Sequence, residues 1–316
     1  MYKEKTVGVV VPAYNEEKLI GRVIDTMPKF VDKIVIVDDC SQDTTARIVQ
    51  SYLKRAPKRI VYIRHEINQG VGGAIATGYK WCRDHNMAAA VVMAGDAQMD
   101  PVDLPALLDP VVDGTADYSK GNRLISGEAW KIIPRVRYLG NAMLSLLTKI
   151  ASGYWHIADS QTGYTVANLN VLKTIDLDGI YKRYGMPNDM LVKLNIFNFR
   201  VCDVPIKPIY GIGEKSGIRP LRMIPKLAWQ MGKFFLYRMV QKYIIRDFHP
   251  LVFFYLTGCI MFTSGLLLGL YLFCFRVMIG PVEATSTVMA VFLFITGMQS
   301  LFFAMWFDMD YNKNKR

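Results

Sequence analysis

Two long apolar runs near the end of the chain constrain its fold more than any other feature. Residues 250–275 contain no charged side chain, and neither do residues 284–307. Each run exceeds the roughly 20 residues that a helix needs to cross a bilayer core, and residues 276–283 are short enough to form a turn between them. The pattern predicts a membrane hairpin at 249–308. The alternative is a pair of helices buried in a large soluble core.

Positive charge is concentrated just before the first apolar run. The chain carries 38 Lys and Arg against 27 Asp and Glu, a net charge of +11, and residues 215–246 hold eight basic side chains and no acidic one. A basic segment beside a span favours anionic headgroups, so we expect a membrane partner and no nucleic acid. Basic residues flank the outer ends of the hairpin, in this segment and in the tail 309–316. The positive-inside rule therefore predicts that the part of the chain before the hairpin and both termini are cytoplasmic.

Residues 219–248 combine this charge with apolar residues at helical spacing, which predicts basic amphipathic helices lying in the interface. An ordinary solvated helix with a basic face is the alternative. The five cysteines show no CxxC spacing, so neither a zinc site nor a disulfide framework is expected. Glycines in the apolar runs permit helix–helix contacts, and an oligomer is compatible with the sequence.

The first 218 residues alternate between two periodicities. Strand-like runs at 7–11, 34–37, 60–64 and 90–93 are separated by stretches with apolar residues at helical spacing, at 16–26, 43–55 and 73–83. This alternation predicts an α/β domain over 1–218, with a mostly parallel, doubly wound sheet of the Rossmann-like type.

A polar loop follows each predicted strand, at the edge where open α/β sheets bind ligands. Tyr14 can stack on a base, and Glu16 and Asp39 can accept hydrogen bonds from a base or ribose. Asp96 and Gln98 alternate on one segment and can both point at one ion. Hard divalent cations take oxygen ligands and often bridge to substrate phosphates. These loops predict a nucleotide site with a cation.

Six motifs occur together in one order. They are Pro12-Ala-Tyr-Asn-Glu16, Val37-Asp-Asp-Cys-Ser41, Asn68-x-Gly70, Gly95-Asp-Ala-Gln98, Gly121-Asn-Arg123 and Asp159-Ser-Gln-Thr-Gly-Tyr164. Over roughly residues 5–215 the chain resembles the inverting family 2 glycosyltransferases of the GT-A fold. The branch it resembles is that of the dolichol-phosphate mannose synthases and polyprenyl-phosphate glycosyltransferases, some of which carry C-terminal spans.

The resemblance implies a role for each matching residue. It assigns nucleotide contacts to Pro12, Tyr14, Glu16, Val37, Asp39, Ala94, Gly95 and Asp96, acceptor-phosphate contacts to Arg123, Arg137, Asn141 and Lys215, metal binding to Asp96 and Gln98, and catalytic roles to Asp96, Arg123, Arg137 and Asp159. The implied cofactor is Mg²⁺ or Mn²⁺. Two departures stand out: Ala94 replaces the first aspartate of the metal motif, and residues 210–216 lack the arginine of the family segment.

The resemblance implies transfer of a sugar, with inversion, from a UDP- or GDP-linked donor to a polyprenyl phosphate. A phosphate acceptor is already anionic and needs no general base. One alternative is a saccharide or lipid hydroxyl acceptor, for which relatives carry a base in the region of Asn188 and Asp189. The other is a non-catalytic nucleotide-binding membrane protein, which Ala94 favours. The donor sugar stays open between glucose, N-acetylglucosamine and mannose.

Overall fold

A computed structural model describes residues 1–124, 135–183, 185–207, 209 and 220–315. The chain divides into two compact units. The first comprises Met1–Phe235 together with Asn314–Arg316, and the second comprises Leu236–Lys313. The division falls within one long helix, and each unit is described by itself.

The first unit is an α/β domain built on one seven-stranded sheet. Its strands are β1 (Val7–Ala13), β2 (Lys33–Asp38), β3 (Ile60–Arg64), β4 (Ala89–Val92), β5 (Tyr118–Asn122), β6 (Thr165–Asn168) and β7 (Val201–Pro205). The order is β3-β2-β1-β4-β6-β5-β7. Only β6 runs against its neighbours β4 and β5, while the other pairs are parallel. The predicted mostly parallel sheet is therefore confirmed.

Helices cover both faces of this sheet. They are α1 (Ile20–Asp25), α2 (Thr45–Arg55), α3 (Val71–Asp84), α4 (Leu104–Val112), α5 (Arg135–Ser152), α6 (Leu169–Thr174) and α7 (Met186–Ile196), with a 3₁₀ turn at Pro101–Asp103. Strand side chains alternate between two cores: Val10 packs in one, and Val9 and Val11 pack in the other. Burial on both faces explains why β1 reads as a continuous apolar run rather than an alternating one.

The first helix begins later than the periodicity predicts. The pattern indicates a helix from residue 16, but α1 starts at Ile20. The difference has a local cause, because the backbone N–H of Glu16 donates to Thr45 Oγ1 at 2.9 Å and the Glu17 carboxylate accepts from the Thr44 hydroxyl at 2.8 Å. These bonds hold residues 16 and 17 in the loop that follows β1.

The second unit contains two long helices, α9 (Leu251–Met278) and α10 (Ala284–Asn312). They follow α8 (Pro220–Val240) and a π-helical turn (Gln241–Arg246). Both are long and apolar enough to cross a membrane, and only 17% of the most apolar window of each is buried. A core helix of a soluble protein would be mostly buried, so these helices have the surface of membrane spans.

Glycines let the two long helices approach closely. A Cβ atom at Gly265 would lie 2.4 Å from the backbone nitrogen of Phe294, and one at Gly297 would lie 2.3 Å from that of Phe262. Any side chain at either position would push the helices apart. Small residues at such crossings are typical of helices that associate within lipid.

A buried ion pair joins the end of α8 to the end of α10, inside the second unit. Arg238 Nη1 and Nη2 donate to the two carboxylate oxygens of Asp308 at 2.7 and 2.9 Å, and both side chains are fully buried. The Tyr243 hydroxyl and Asn312 Nδ2 donate to the same carboxylate at 2.7 and 3.0 Å. Lys242 is also buried and donates to Asn312 Oδ1 at 2.9 Å. Among the described side chains of the basic segment, Arg238 and Lys242 thus lie inside the protein rather than on its surface.

Candidate active site

The sequence-predicted loops converge on one edge of the sheet. Strands β1, β2 and β4 are parallel, and β5 points the same way because both β4 and β5 pair antiparallel with β6. The loops after β1, β2, β4 and β5 therefore share that edge with the loop that enters β6. The strand order reverses between β1 and β4, which is where open α/β sheets bind ligands.

The loops after β1 and β2 are fastened to each other. Asn15 N–H donates to Ser41 Oγ at 3.0 Å, and Asp39 N–H donates to the Ala13 carbonyl at 2.9 Å. Pro12 and Val37 are buried below these bonds, whereas the Tyr14 side chain is 49% exposed. Of the residues predicted to contact the nucleotide, Tyr14 thus presents a ring at the surface of this edge.

Asp39 is engaged by protein donors. Its carboxylate accepts from the backbone N–H groups of Gln69 at 2.8 Å and Gly70 at 2.7 Å, and it lies 2.7 Å from His65 Nδ1. Asn68 Nδ2 donates to the Asp39 carbonyl at 3.2 Å, so the Asn68-x-Gly70 motif closes around this residue. Asp39 therefore shapes the loop, and its contact with a nucleotide stays a prediction. His65 directly follows β3 as Asp39 follows β2, but nothing in the sequence predicts a role for it.

The loop after β4 lies against the loop after β1. Gly95 N–H donates to the Pro12 carbonyl at 3.1 Å, and a Cβ atom at Gly95 would lie 3.4 Å from Glu16 Cγ. Burial, together with the nearby carboxylates of Asp96 and Asp43, raises the pKa of Glu16 to about 7. Pro12, Glu16, Gly95 and Asp96 are thus brought together. The carboxylates of Glu16 and Asp96 repel each other.

The carboxylates of Glu16 and Asp96 attract a divalent cation, but the side chains nearby supply only some of the ligands that such an ion needs. Among the described residues no group of three or more His, Cys, Asp and Glu side chains could hold a metal ion by itself. Asp96 and Gln98 offer oxygen ligands on one turn, in which Gln98 N–H donates to Asp96 Oδ1 at 3.1 Å. Ala94, between them and β4, supplies no side-chain ligand and donates its N–H to Met99 Sδ at 3.3 Å. The set suits an ion that takes its remaining ligands from water and a diphosphate.

Arg123 and Asp159 form a two-point ion pair at the same edge. Arg123 Nε donates to Asp159 Oδ2 at 2.7 Å, and Nη2 donates to Oδ1 at 3.1 Å. Burial opposes ionisation of Asp159, but the Arg123 guanidinium outweighs it and holds the pKa of this carboxyl below its usual value. Asp159 is buried, whereas the Arg123 side chain keeps 20% of its surface exposed. Two residues predicted to be catalytic are therefore direct partners.

Asp189 does not present a free carboxylate. It accepts from Lys193 Nζ at 2.7 Å and from the Tyr181 N–H at 2.8 Å, and only 4% of its side chain is exposed. Both bonds fall on Oδ2 of a buried side chain, so this carboxylate is held inside the fold and offers little surface to a substrate.

Three predicted acceptor-phosphate residues cannot be placed in the site. Lys215 lies outside the described residues, and so do the side chains of Arg137 and Asn141, although the backbone of both belongs to α5. Their roles stay predictions.

The strand order and this ligand-binding edge of the sheet identify the GT-A fold. The glucosyl-3-phosphoglycerate synthase of Mycobacterium tuberculosis, solved with Mn²⁺, UDP-glucose and phosphoglyceric acid, superposes with a TM-score of 0.54 at 19% identity, covering 74% of this chain and 80% of that one. At this identity the likeness concerns the fold alone.

The family follows from the sequence comparisons. The profile of glycosyl transferase family 2 matches residues 8–175, and the chain belongs to that family. It is 31% identical to the UDP-N-acetylglucosamine–dolichyl-phosphate N-acetylglucosaminyltransferase of Methanococcus voltae, over 66% of this chain and 87% of that protein. It is 32% identical to the undecaprenyl-phosphate mannosyltransferase of Micrococcus luteus, over 62% of this chain and 81% of that one. The predicted family and enzyme class are confirmed.

Proposed function

We propose that this glycosyltransferase moves a sugar from a nucleotide sugar to a polyprenyl phosphate, with inversion, and produces a lipid-phosphate-linked sugar. The state of Asp189 carries this choice of acceptor. A hydroxyl acceptor must lose a proton to a base, and the carboxylate in the expected position is held by Lys193 and Tyr181. A phosphate monoester is already anionic at neutral pH and attacks the anomeric carbon without a base. The names of the two relatives above support the same acceptor class.

The acceptor phosphate is oriented by Arg123. The guanidinium presents one edge to Asp159 and keeps part of its surface at the site. Because Asp159 balances the charge of Arg123, the pair can position a phosphate without strongly stabilising its free anion, which would weaken it as a nucleophile. In this proposal Arg137, Asn141 and Lys215 add further phosphate contacts.

The donor lies over the loops after β1 and β4. Tyr14 stacks on the base, and Pro12, Val37, Asp39, Ala94 and Gly95 line the nucleotide. Asp96 and Gln98 would hold Mg²⁺ or Mn²⁺, which would supply Lewis-acid stabilisation of the negative charge on the departing nucleotide. Asp96 and Glu16 repel each other without a cation, so ion binding also relieves an unfavourable interaction.

The two apolar helices span the membrane in this proposal, and the catalytic domain and both termini are cytoplasmic. The basic segment 215–246 and the tail 309–316 flank the hairpin on its outer side, as the positive-inside rule requires. Labelling of single cysteines in intact cells tests the orientation. A cysteine within 277–282 should react with an impermeant maleimide from outside, and one in the tail should not. The reverse pattern would contradict the orientation.

A transfer assay tests the activity. Full-length protein in detergent is incubated with undecaprenyl phosphate, Mn²⁺ and, in turn, UDP-glucose, UDP-N-acetylglucosamine and GDP-mannose. One donor should yield a glycosylated lipid, and chelation by EDTA should stop the reaction. If the protein binds nucleotide but never glycosylates the lipid, the proposal fails.

A double variant separates the phosphate acceptor from a hydroxyl acceptor. Asp189→Asn combined with Lys193→Met removes both buried charges at once, so that neither is left uncompensated. Most of the transfer to the lipid phosphate should remain. Loss of turnover in a variant that still folds and binds nucleotide would identify Asp189 as a base and favour a hydroxyl acceptor.

A further inference from the structure

One carboxylate on β7 is bonded to both chain segments that carry the Arg123–Asp159 pair. Asp203 Oδ2 accepts from Asn122 Nδ2 at 2.6 Å and from the Ala158 backbone N–H at 2.7 Å. Asn122 directly precedes Arg123, and Ala158 directly precedes Asp159. A single oxygen atom therefore fixes the immediate neighbours of both members of the pair.

The position of Asp203 is unfavourable for a residue that serves packing alone. Its other oxygen, Oδ1, is buried and has no hydrogen-bond partner among the described residues. Burial raises the pKa of Asp203 to about 6, although the Ala158 N–H and the charge of Lys120 oppose the rise. A buried acceptor left unsatisfied reduces stability. An apolar residue at this position would avoid that loss, but it could not hold the two segments together.

Lys120 secures the far end of the same loop. This side chain on β5 is 1% exposed, and its ammonium group donates to the carbonyl of Thr162, three residues after Asp159. Burial lowers the pKa of Lys120 to about 8, while the charges of Asp159 and Asp203 act in the opposite direction. Lys120 and Arg123 are balanced in charge by Asp159 and Asp203, so the cluster can be buried without excess charge.

We propose that Asp203 is a positioning residue for the acceptor phosphate, because it holds Arg123 and Asp159 in the register that fixes the guanidinium edge facing the lipid. The inference rests on the phosphate-binding role proposed for Arg123. An arginine side chain has many rotamers, and a guanidinium whose direction is set before the substrate arrives binds phosphate without losing that freedom again. Asp203 acts through Arg123 and does not itself touch the substrate.

The test is the Asp203→Asn variant of the full-length protein in detergent, assayed with undecaprenyl phosphate, Mn²⁺ and the donor that the wild type uses. Asparagine at this position has only a neutral oxygen with which to accept the two bonds that Asp203 Oδ2 accepts. The KM for the lipid should rise roughly tenfold to a hundredfold, the range expected when a hydrogen bond to a buried charged group is lost. The KM for the nucleotide sugar should stay unchanged. A purely structural role would affect both substrates alike.

Asp117 provides a matched control at the opposite edge of the sheet. It accepts from the Arg200 N–H at 2.9 Å and from Asn168 Nδ2 at 3.1 Å, just before β5 and β7 begin and where β6 ends. Asp117→Asn therefore loosens β5 and β7, which Asp203 also joins, but at the end of these strands far from the loops. It should lower the melting temperature and leave the KM of both substrates as in the wild type.

The outcomes separate this inference from the proposed function. A wild type that never glycosylates the lipid overturns both. An active wild type with equal kinetic losses in Asp203→Asn and Asp117→Asn overturns the positioning role alone. If Asp203→Asn does not fold, Asn122→Ala removes one of the two bonds and keeps the one to Ala158, and it should raise the KM for the lipid roughly threefold to tenfold. An unchanged KM for the lipid in that variant overturns the inference.

Discussion

Each of the two units of this protein contains an arginine that donates two hydrogen bonds to the carboxylate of an aspartate. In the catalytic unit Arg123 holds Asp159 at 2.7 and 3.1 Å, and in the hairpin unit Arg238 holds Asp308 at 2.7 and 2.9 Å. The chemistry is the same, but the surroundings differ. Arg123 keeps 20% of its side chain exposed, whereas Arg238 keeps none. One guanidinium can meet a substrate, and the other meets only protein.

The remaining partners of each aspartate explain this difference. Asp308 receives the Tyr243 hydroxyl and Asn312 Nδ2, and the Tyr243 ring lies 5.6 Å from the Arg238 guanidinium. Asp159 receives backbone N–H groups instead, from Arg123 and Gln161. Side chains thus complete the hydrogen bonds of the Arg238–Asp308 pair, while backbone groups of a loop complete those of Asp159. The hairpin pair joins two helices, whereas the pair in the catalytic unit leaves part of its guanidinium exposed.

The largest expected effect is on the hairpin pair. Asp308→Asn leaves the Arg238 guanidinium buried without its counter-charge, which should destabilise the second unit by about 3–5 kcal/mol. A thermal melt of the full-length protein in detergent measures the loss. Transfer activity per folded molecule, assayed well below the melting temperature, should stay near that of the wild type. An unchanged melting temperature would contradict the stabilising role of the pair.

For the Arg123–Asp159 pair we expect the reverse result, which is a loss of activity with little loss of stability. Arg123→Lys keeps a positive charge but loses the planar, two-point geometry. Turnover should fall roughly 10²–10³-fold, as for other groups that orient or stabilise charge in a transition state. The melting temperature should change little, because the lysine can still pair with Asp159. Arg238→Lys is the matched control, with lower stability and normal kinetics. If Arg123→Lys has wild-type kinetics, Arg123 does not bind the acceptor.

A smaller effect concerns the pH dependence of stability, in which the contributions of Asp203 and Asp159 have opposite signs. The pKa of Asp203 is raised to about 6, so the unfolded chain releases this proton at lower pH than the folded chain does. The folded state should therefore lose stability as pH rises from about 4 to about 6, on the order of 2 kcal/mol for this group. Asp159 has the opposite sign, since its pKa is lowered, and its contribution is lost only at more acidic pH.

Melting curves at pH 4.5 and pH 7 for the wild type and Asp203→Asn measure the contribution of Asp203 to this pH dependence. The variant should improve relative to the wild type as pH rises. A constant difference between the two proteins would show that Asp203 does not titrate in this window.

The smallest effect is expected when both charges of the hairpin pair are removed. Arg238→Met combined with Asp308→Leu removes one charge of each sign, keeps the bond from Lys242 to Asn312, and should recover most of the stability lost in Asp308→Asn, to within about 1–2 kcal/mol of the wild type. The corresponding Arg123→Met and Asp159→Leu double variant should fold but be inactive. Equal activity of the two double variants would remove the distinction between the pairs.

Much of the fold could be predicted from local pattern. The buried strands read as apolar runs such as Val9–Val11, and the two apolar helices are evident from length alone. The direction of β6 could not be predicted, since four residues carry no signal of whether a strand runs parallel or antiparallel. The polar loops identified the edge of the site, because each follows directly on a strand.

What the sequence could not show depends on distant partners. Asp39 looked available for a nucleotide, but His65 and the turn at Gln69 and Gly70 hold it. No role is predicted for Asp203 from the sequence, because the two residues it joins, Asn122 and Ala158, are distant from it along the chain. The Asp189–Lys193 pair is different: its members are four residues apart on one helix, a spacing that by itself predicts an ion pair.

The hairpin pair also imposes an order on biogenesis. Arg238 and Asp308 are 70 residues apart, with both apolar helices between them. A ribosome therefore delivers the arginine before either helix has been made and delivers its partner only as the second helix is being completed. Until then Asp308 is not available to the guanidinium, and the pair can form only when the last turns of the second helix emerge. Formation of this ion pair is therefore a late event in the synthesis of the hairpin.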